Sequence, residues 1–150
     1  ADVLFLSQAE THHAIRAFFP PGTLSPMHAS GIGKALLAQW SQKGVDAMLA
    51  TRAPEKFTKF TLVTRNDLMK DLRETQRRGY SFDAEEKNIG MRCIAAPVFD
   101  VYGDAVAGLS ISGPVARITN ERVAKIGSLV RSVSDVLTCE LGGVPPPLPS

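Results

Sequence analysis

Cysteine is scarce in this sequence: Cys93 and Cys139 are the two present, far apart along the chain. A disulfide-stapled secreted scaffold needs a denser framework, so the pair fits a reduced, cytoplasmic protein, with a single Cys93 to Cys139 bridge as the alternative. No signal-peptide pattern opens the chain, and no apolar run approaches the roughly 20 residues of a membrane-spanning helix. An excess of one charge is also missing. Seventeen Lys and Arg against 15 Asp and Glu leave a formal charge of +2, too small and too dispersed for a nucleic-acid footprint; "RR" at 77–78 reads as a solvated helix end. The three histidines, His12, His13 and His28, lack metal-ligand spacing, and adjacent strand residues point to opposite faces, so neither a metal nor a cofactor is expected.

A phosphate loop is missing too, although "PMHASGIGKALLA" at 26–38 invites the comparison. The Walker pattern needs a glycine five residues before Gly33 and a hydroxyl after Lys34; His28 and Ala35 stand there, so a Walker-type loop is excluded on spacing. What remains is Ser30 as an N-cap and a Gly-Ile-Gly start to a helix whose first N–H groups are free for a small anion.

At 150 residues the chain buries roughly two-thirds of its unfolded surface, enough for one domain around a single core without a metal or disulfide staple. "DVLFLSQ" and "HHAIRAFF" read as strands and "FPPG" as the break after them. Helices are expected from Ser30 to about Trp40, after Gly44 in "GVDAMLATR", and over "RNDLMKDLRETQRR" with Gly79 as its stop. "YSF" then gives a strand and "DAEEKNIG" an acidic turn of the kind that is usually solvated. "MRCIAAPVFD" and "DAVAGLSISG" form a hairpin across "VYG". Both of its strands are apolar on both faces, which implies a sheet covered on each side. From Asn120 to about Leu141 a last helix carries a seam of Val123, Ile126, Val130, Val133 and Leu137, suited to a core or to a partner. "GGVPPPLPS" reads as a mobile, proline-rich tail over 142–150. No internal repeat is present. The order of elements indicates α+β with a mainly antiparallel sheet. Because "ADVLFL" opens inside a strand without Met, the chain is expected to be a fragment of a longer polypeptide.

The hairpin allows a register to be counted. With the turn centred on Tyr102 and Gly103, Cys93 lies opposite Ser112 and Ala95 opposite Ser110, all four on one face. Such a row of small residues either seats a packed helix or floors a pocket. A Cys93–His28 nucleophile pair is conceivable, but no local signature supports it, and a strand cysteine is usually inert core.

Three stretches, "PMHASGIGKALLA", "RGYSFDAEEKNIGMRCIAAPVFD" and "AVAGLSISGPVARIT", make the chain resemble the effector-binding domain of the IclR family of bacterial transcription regulators, over about residues 1–143. The resemblance implies a GAF-like fold, a curved antiparallel sheet flanked by helices, over 1–141. It implies a preceding winged helix-turn-helix and linker, absent here together with the first helix and strand of the effector domain. DNA would be met only through that missing part. Homodimers or homotetramers and a small organic acid effector are implied as well. Matching motif to motif, the effector site would draw on Gly31, Ile32, Asp83, Cys93, Ser110 and Ser112, with Ala17 and Met91 as apolar wall. A glyoxylate or pyruvate-like 2-oxo acid is the expected ligand. The competing readings are a thiol-dependent enzyme acting through Cys93 and a pure oligomerisation domain.

Overall fold

The computed structural model describes all residues except 11, 13–18 and 150, so residues 13–18 of the strand expected over "HHAIRAFF", Ala17 among them, lie outside the described residues. Strand β1 (Asp2–Leu4) pairs antiparallel with β2 (Leu24–Pro26). The first of these is shorter than the expected "DVLFLSQ", and β2 was not foreseen because three residues are too few to show alternation. A single 3-10 turn (Met27–Ala29) leads into α1 (Gly31–Leu37), followed by α2 (Gln42–Thr51) and α3 (Arg65–Arg78). A three-stranded antiparallel sheet then forms from β3 (Ser81–Ala84), β4 (Met91–Phe99) and β5 (Ala105–Pro114), with β4 central, and α4 (Asn120–Glu140) closes the chain.

Side-chain caps fix the helix starts. Ser30, Ser41 and Thr64 accept from the N–H groups of Gly33, Gly44 and Asp67, each satisfying a donor that the first turn leaves free. The Ser41 cap starts α2 ahead of Gly44, earlier than its apolar pattern suggested. Gly79 ends α3 with φ 80°, a left-handed residue that glycine adopts without steric cost. Gly33 has a different reason to be glycine, since a Cβ there would collide with the Met27 backbone; only a bare Cα lets α1 start against the 3-10 turn.

The single core expected from chain length is divided in two by the sheet. Val3, Met27, Leu37, Val45, Leu68 and Leu72 fill the α1–α3 side, and Ile94, Ala96, Ile118 and Val130 fill the α4 side. Strand β4 is buried from Ile94 to Phe99, as its unbroken apolar run required. Strand β5 is not covered throughout: Val106 and Ile111 are exposed. The buried face of α4 is Gly127, Val130, Ser134 and Thr138, so the expected seam holds only in its first half. Val133 and Leu137 stay exposed because polar anchors displace them: Ser134 donates to Pro97 O, and Thr138 accepts from the Phe99 N–H at 3.1 Å. The terminal segment runs along α4, where Arg131 Nη2 donates to Pro146 O at 2.8 Å.

Candidate functional site

The β4–β5 register pairs Cys93 with Ser112 and Ala95 with Ser110, as counted from the sequence. The turn itself is different. Phe99 pairs with Ala105 and Val98 with Ala107, so a bulge at Val106 absorbs one residue and restores the register toward the site. On the other edge of β4, Asp83 pairs with Cys93 and Ser81 with Ala95. Two transverse rows result, Asp83–Cys93–Ser112 and Ser81–Ala95–Ser110.

Helix α1 lies across these rows, and each row has its own role. Ser81 Oγ donates to Gly31 O at 2.6 Å, tying the second row to the helix. The first row remains open and lines a cavity of about 230 Å³ together with Gly31, Ile32, Met91 and Lys87. Of the residues singled out in the sequence, Gly31, Ile32, Asp83, Cys93, Ser112 and Met91 thus converge; Ser110 is not on the lining and reaches the site through a hydrogen bond with the Cys93 thiol. Phe5 and Phe19, stacked at 4.7 Å, supply an apolar wall. Arg92 contributes to the lining, but its side chain lies over the Phe82 ring and donates to Ile118 O at 2.8 Å, on the α4 side of the sheet.

The cavity lining carries hydrogen-bond donors. The first helical backbone bond runs from Lys34 N to Ser30 O at 2.8 Å, so the N–H groups of Gly31 and Ile32 precede the ladder. Lys87 Nζ donates to the buried Ser25 Oγ at 2.8 Å, and partial burial holds its pKa below the ordinary lysine value.

Two of the three acids in the acidic turn are buried, contrary to expectation. Asp83 is 8% exposed and Glu86 4%, because Lys34, fully buried, supplies the missing counter-charge. Its Nζ lies 2.6 Å from Glu86 Oε1 and 3.0 Å from Asp71 Oδ2, and it donates to Phe82 O at 2.6 Å. Lys34 faces three carboxylates and Lys87 adds its charge at Asp83, which does not fully offset the burial of Asp83 and Glu86. The Lys34 pKa is raised even though burial, its largest influence, acts to lower it. Burial raises Asp83 as well and lifts Glu86 to about 7.

Burial also pushes the Cys93 thiol to about 11, against hydrogen bonds with Ser112 and Ser110 that favour the thiolate. A thiol so held is a poor nucleophile near neutral pH. The conceivable general base is engaged elsewhere: His28 Nε2 lies 2.8 Å from Glu55 O, and its ring stacks on Phe57. Cys93 and Cys139 are both free thiols. Among the described residues no group of three or more His, Cys, Asp or Glu side chains is placed to hold a metal, and no helix is long and apolar enough to cross a membrane.

Lys34, Ser81, Lys87 and the Phe5–Phe19 wall were not anticipated as parts of the site or its support. For Lys34 the signal was its place one turn into a helix of small and apolar residues, which forces the side chain inward. Phe5 and Phe19 gave no comparable signal, since they meet only after the chain has turned back.

The family model described as bacterial transcriptional regulator IclR C-terminal matches residues 1–138. The chain is 53% identical over 128 residues to the HTH-type transcriptional regulator BhcR of Paracoccus denitrificans, covering 85% of this chain and 46% of that protein. It is 41% identical over 143 residues to the transcriptional repressor IclR of Escherichia coli, covering 95% and 52%. The crystal structure of the Thermotoga maritima IclR superposes with a TM-score of 0.88 at 26% identity, covering 94% of this chain and 57% of that one. The chain spans about half the length of the curated relatives it matches. Those relatives are named as transcriptional regulators, not as enzymes.

Proposed function

Because the chain belongs to the IclR family as its C-terminal, effector-binding domain, we propose that the cavity beneath α1 binds a short 2-oxo acid, glyoxylate or a pyruvate-like acid. Occupancy then modulates DNA binding by a winged helix-turn-helix joined to this domain. The observation that carries this reading is the Asp83–Cys93–Ser112 row, which lines one cavity together with the start of α1 where Gly31 packs directly on Cys93. About 230 Å³ is below the range of drug-sized pockets and suits a ligand of a few heavy atoms. The carboxylate is held by the N–H groups of Gly31 and Ile32, the Ser112 hydroxyl and the charge of Lys87. Asp83 sits where it would repel a plain carboxylate, and a hydrated 2-oxo acid resolves this by offering it two hydroxyl donors. Phe5, Phe19 and Met91 limit ligand length.

Assembly as a homodimer or homotetramer accompanies this function. Leu129, Val133 and Val136 leave an apolar stripe on α4, with Val136 60% exposed, the kind of face that a second copy covers. Native mass spectrometry reads both the assembly and any retained acid. Calorimetric titration with glyoxylate, pyruvate and acetate tests the chemistry: the two oxo acids should bind and acetate only weakly. Equal affinity for all three would remove the support for a hydrated oxo group.

A further inference from the structure

Glu86 has no task in the reading above, yet it is the most unusual ionisable group near the cavity. Its Oε1 meets Lys34 Nζ at 2.6 Å, while its Oε2 is buried without a hydrogen-bond partner among the described residues. Its backbone N–H donates to Asp83 Oδ1 at 2.8 Å, so the carboxylate that lines the cavity is held by the residue behind it. The two acids face different spaces. Asp83 opens on the cavity beneath α1, and Glu86 lines a separate groove between β3 and α3.

The charges facing Glu86 come from each neighbouring element: Lys34 on α1, Asp71 on α3 and Asp83 on β3. Asp67, Lys70, Glu74 and Arg78 of α3 border the same groove. Next in sequence, Lys87 stands with the cavity residues. An anion entering beside Asp83 adds negative charge to a cluster in which Lys34 already faces three carboxylates. That addition favours whichever nearby carboxylate accepts a proton most cheaply. Asp83 is the poorer acceptor, because the Glu86 N–H stabilises its ionised form and because it must accept from the ligand. Glu86 is the better one, since protonation removes an unsolvated charge from Oε2 while Oε1 keeps its bond to Lys34.

We infer that effector binding is coupled to proton uptake by Glu86, so that a short organic anion and one proton enter the domain together, the anion in the cavity and the proton at the residue behind Asp83. The coupling rests on the reading of the cavity as an anion site. A 2-oxo acid is fully ionised near neutral pH and Cys93 is a neutral thiol there, so neither supplies the proton. Affinity therefore declines as pH rises past neutrality, by up to about tenfold per pH unit where uptake approaches one proton.

Calorimetric titration of the chain with glyoxylate and with pyruvate, slightly above neutral pH in PIPES and in imidazole buffer, measures the proton count from the difference in apparent heat. Wild type should take up a substantial fraction of a proton, rising toward one. Glu86→Gln, which mimics the protonated acid, should bind with almost no uptake and with affinity nearly independent of pH. Wild-type binding without uptake overturns the coupling and leaves the anion site standing, and this result decides the matter even if the variant does not fold. Uptake that persists in Glu86→Gln places the proton elsewhere and also overturns it. Absence of binding by either acid removes the anion site itself, and the coupling with it.

Discussion

The sulfur of Cys93 occupies the space that a side chain on Gly31 would need: a Cβ built on Gly31 would lie 2.5 Å from Sγ and 3.2 Å from the Cys93 Cβ. The start of α1 and the centre of β4 therefore meet with nothing between them, and the cavity opens beside that contact. Gly31→Ala should cost about 1 to 3 kcal/mol by overpacking and lower affinity for a short acid by about tenfold or more as α1 is pushed off the sheet. Adding Cys93→Ala removes the sulfur but not the Cβ, so the double variant should recover stability in part. Denaturant unfolding combined with calorimetry checks both; unchanged affinity in Gly31→Ala would show that the ligand does not use this end of the cavity.

The two serines of β5 should separate. Ser112 lines the cavity, whereas Ser110 lies in the row beneath α1. Ser112→Ala is expected to weaken binding by about 1 to 2 kcal/mol and Ser110→Ala by clearly less. Affinity measurements on the two single variants decide it, and a larger loss for Ser110→Ala would reverse the assignment.

The thiols offer a contrast readable without a ligand. Cys139 is exposed, whereas Cys93 is held as a thiol to about 11. Alkylation by iodoacetamide near neutral pH, followed by peptide mass spectrometry, should label Cys139 far faster. Binding of an acid should protect Cys93 further and leave Cys139 unaffected. Preferential labelling of Cys93 would instead reveal an activated sulfur.

The charge cluster should make stability depend on pH. Glu86 is raised from 4.5 to about 7 in the fold, so its contribution is fully present below its ordinary value and is lost as pH rises through about 7. Asp83, also raised by burial, acts in the same sense. Exposed Asp46, Glu74 and Glu121 are shifted downward, act oppositely and at lower pH, and are weakened by solvent screening. Melting curves from mildly acidic to mildly alkaline pH should show wild type losing stability relative to Glu86→Gln as pH rises. A constant gap between the two proteins would mean that Glu86 keeps one protonation state throughout.

Local rules made much of this legible. Alternation along two strands placed Cys93 opposite Ser112 although the turn was read without its bulge, because the bulge at Val106 compensates within one residue. Ser30 and Gly79 announced the ends of their helices through their own chemistry. The acidic turn read as solvated from its residues alone, although the resemblance put Asp83 in the site, because the counter-ion Lys34 is 52 residues from Glu86 in sequence, and pairing at that separation leaves no periodic trace. The half-wrong seam of α4 has a related cause: hydropathy favoured Val133 and Leu137, while the sheet offered Pro97 O and the Phe99 N–H to Ser134 and Thr138. The Gly-Ile-Gly helix start and the paired strands that line the cavity were thus visible in the sequence, and the charge balance beside them was not.

An amide NMR titration of the chain with glyoxylate tests the central claim most directly, because it locates the ligand without presuming its contacts. The account predicts saturable shifts centred on Gly31, Ile32, Asp83, Cys93 and Ser112, with little change along the exposed face of α4 from Leu129 to Val136. Saturable shifts confined to α4, or none at the start of α1 and the centre of β4, would contradict it.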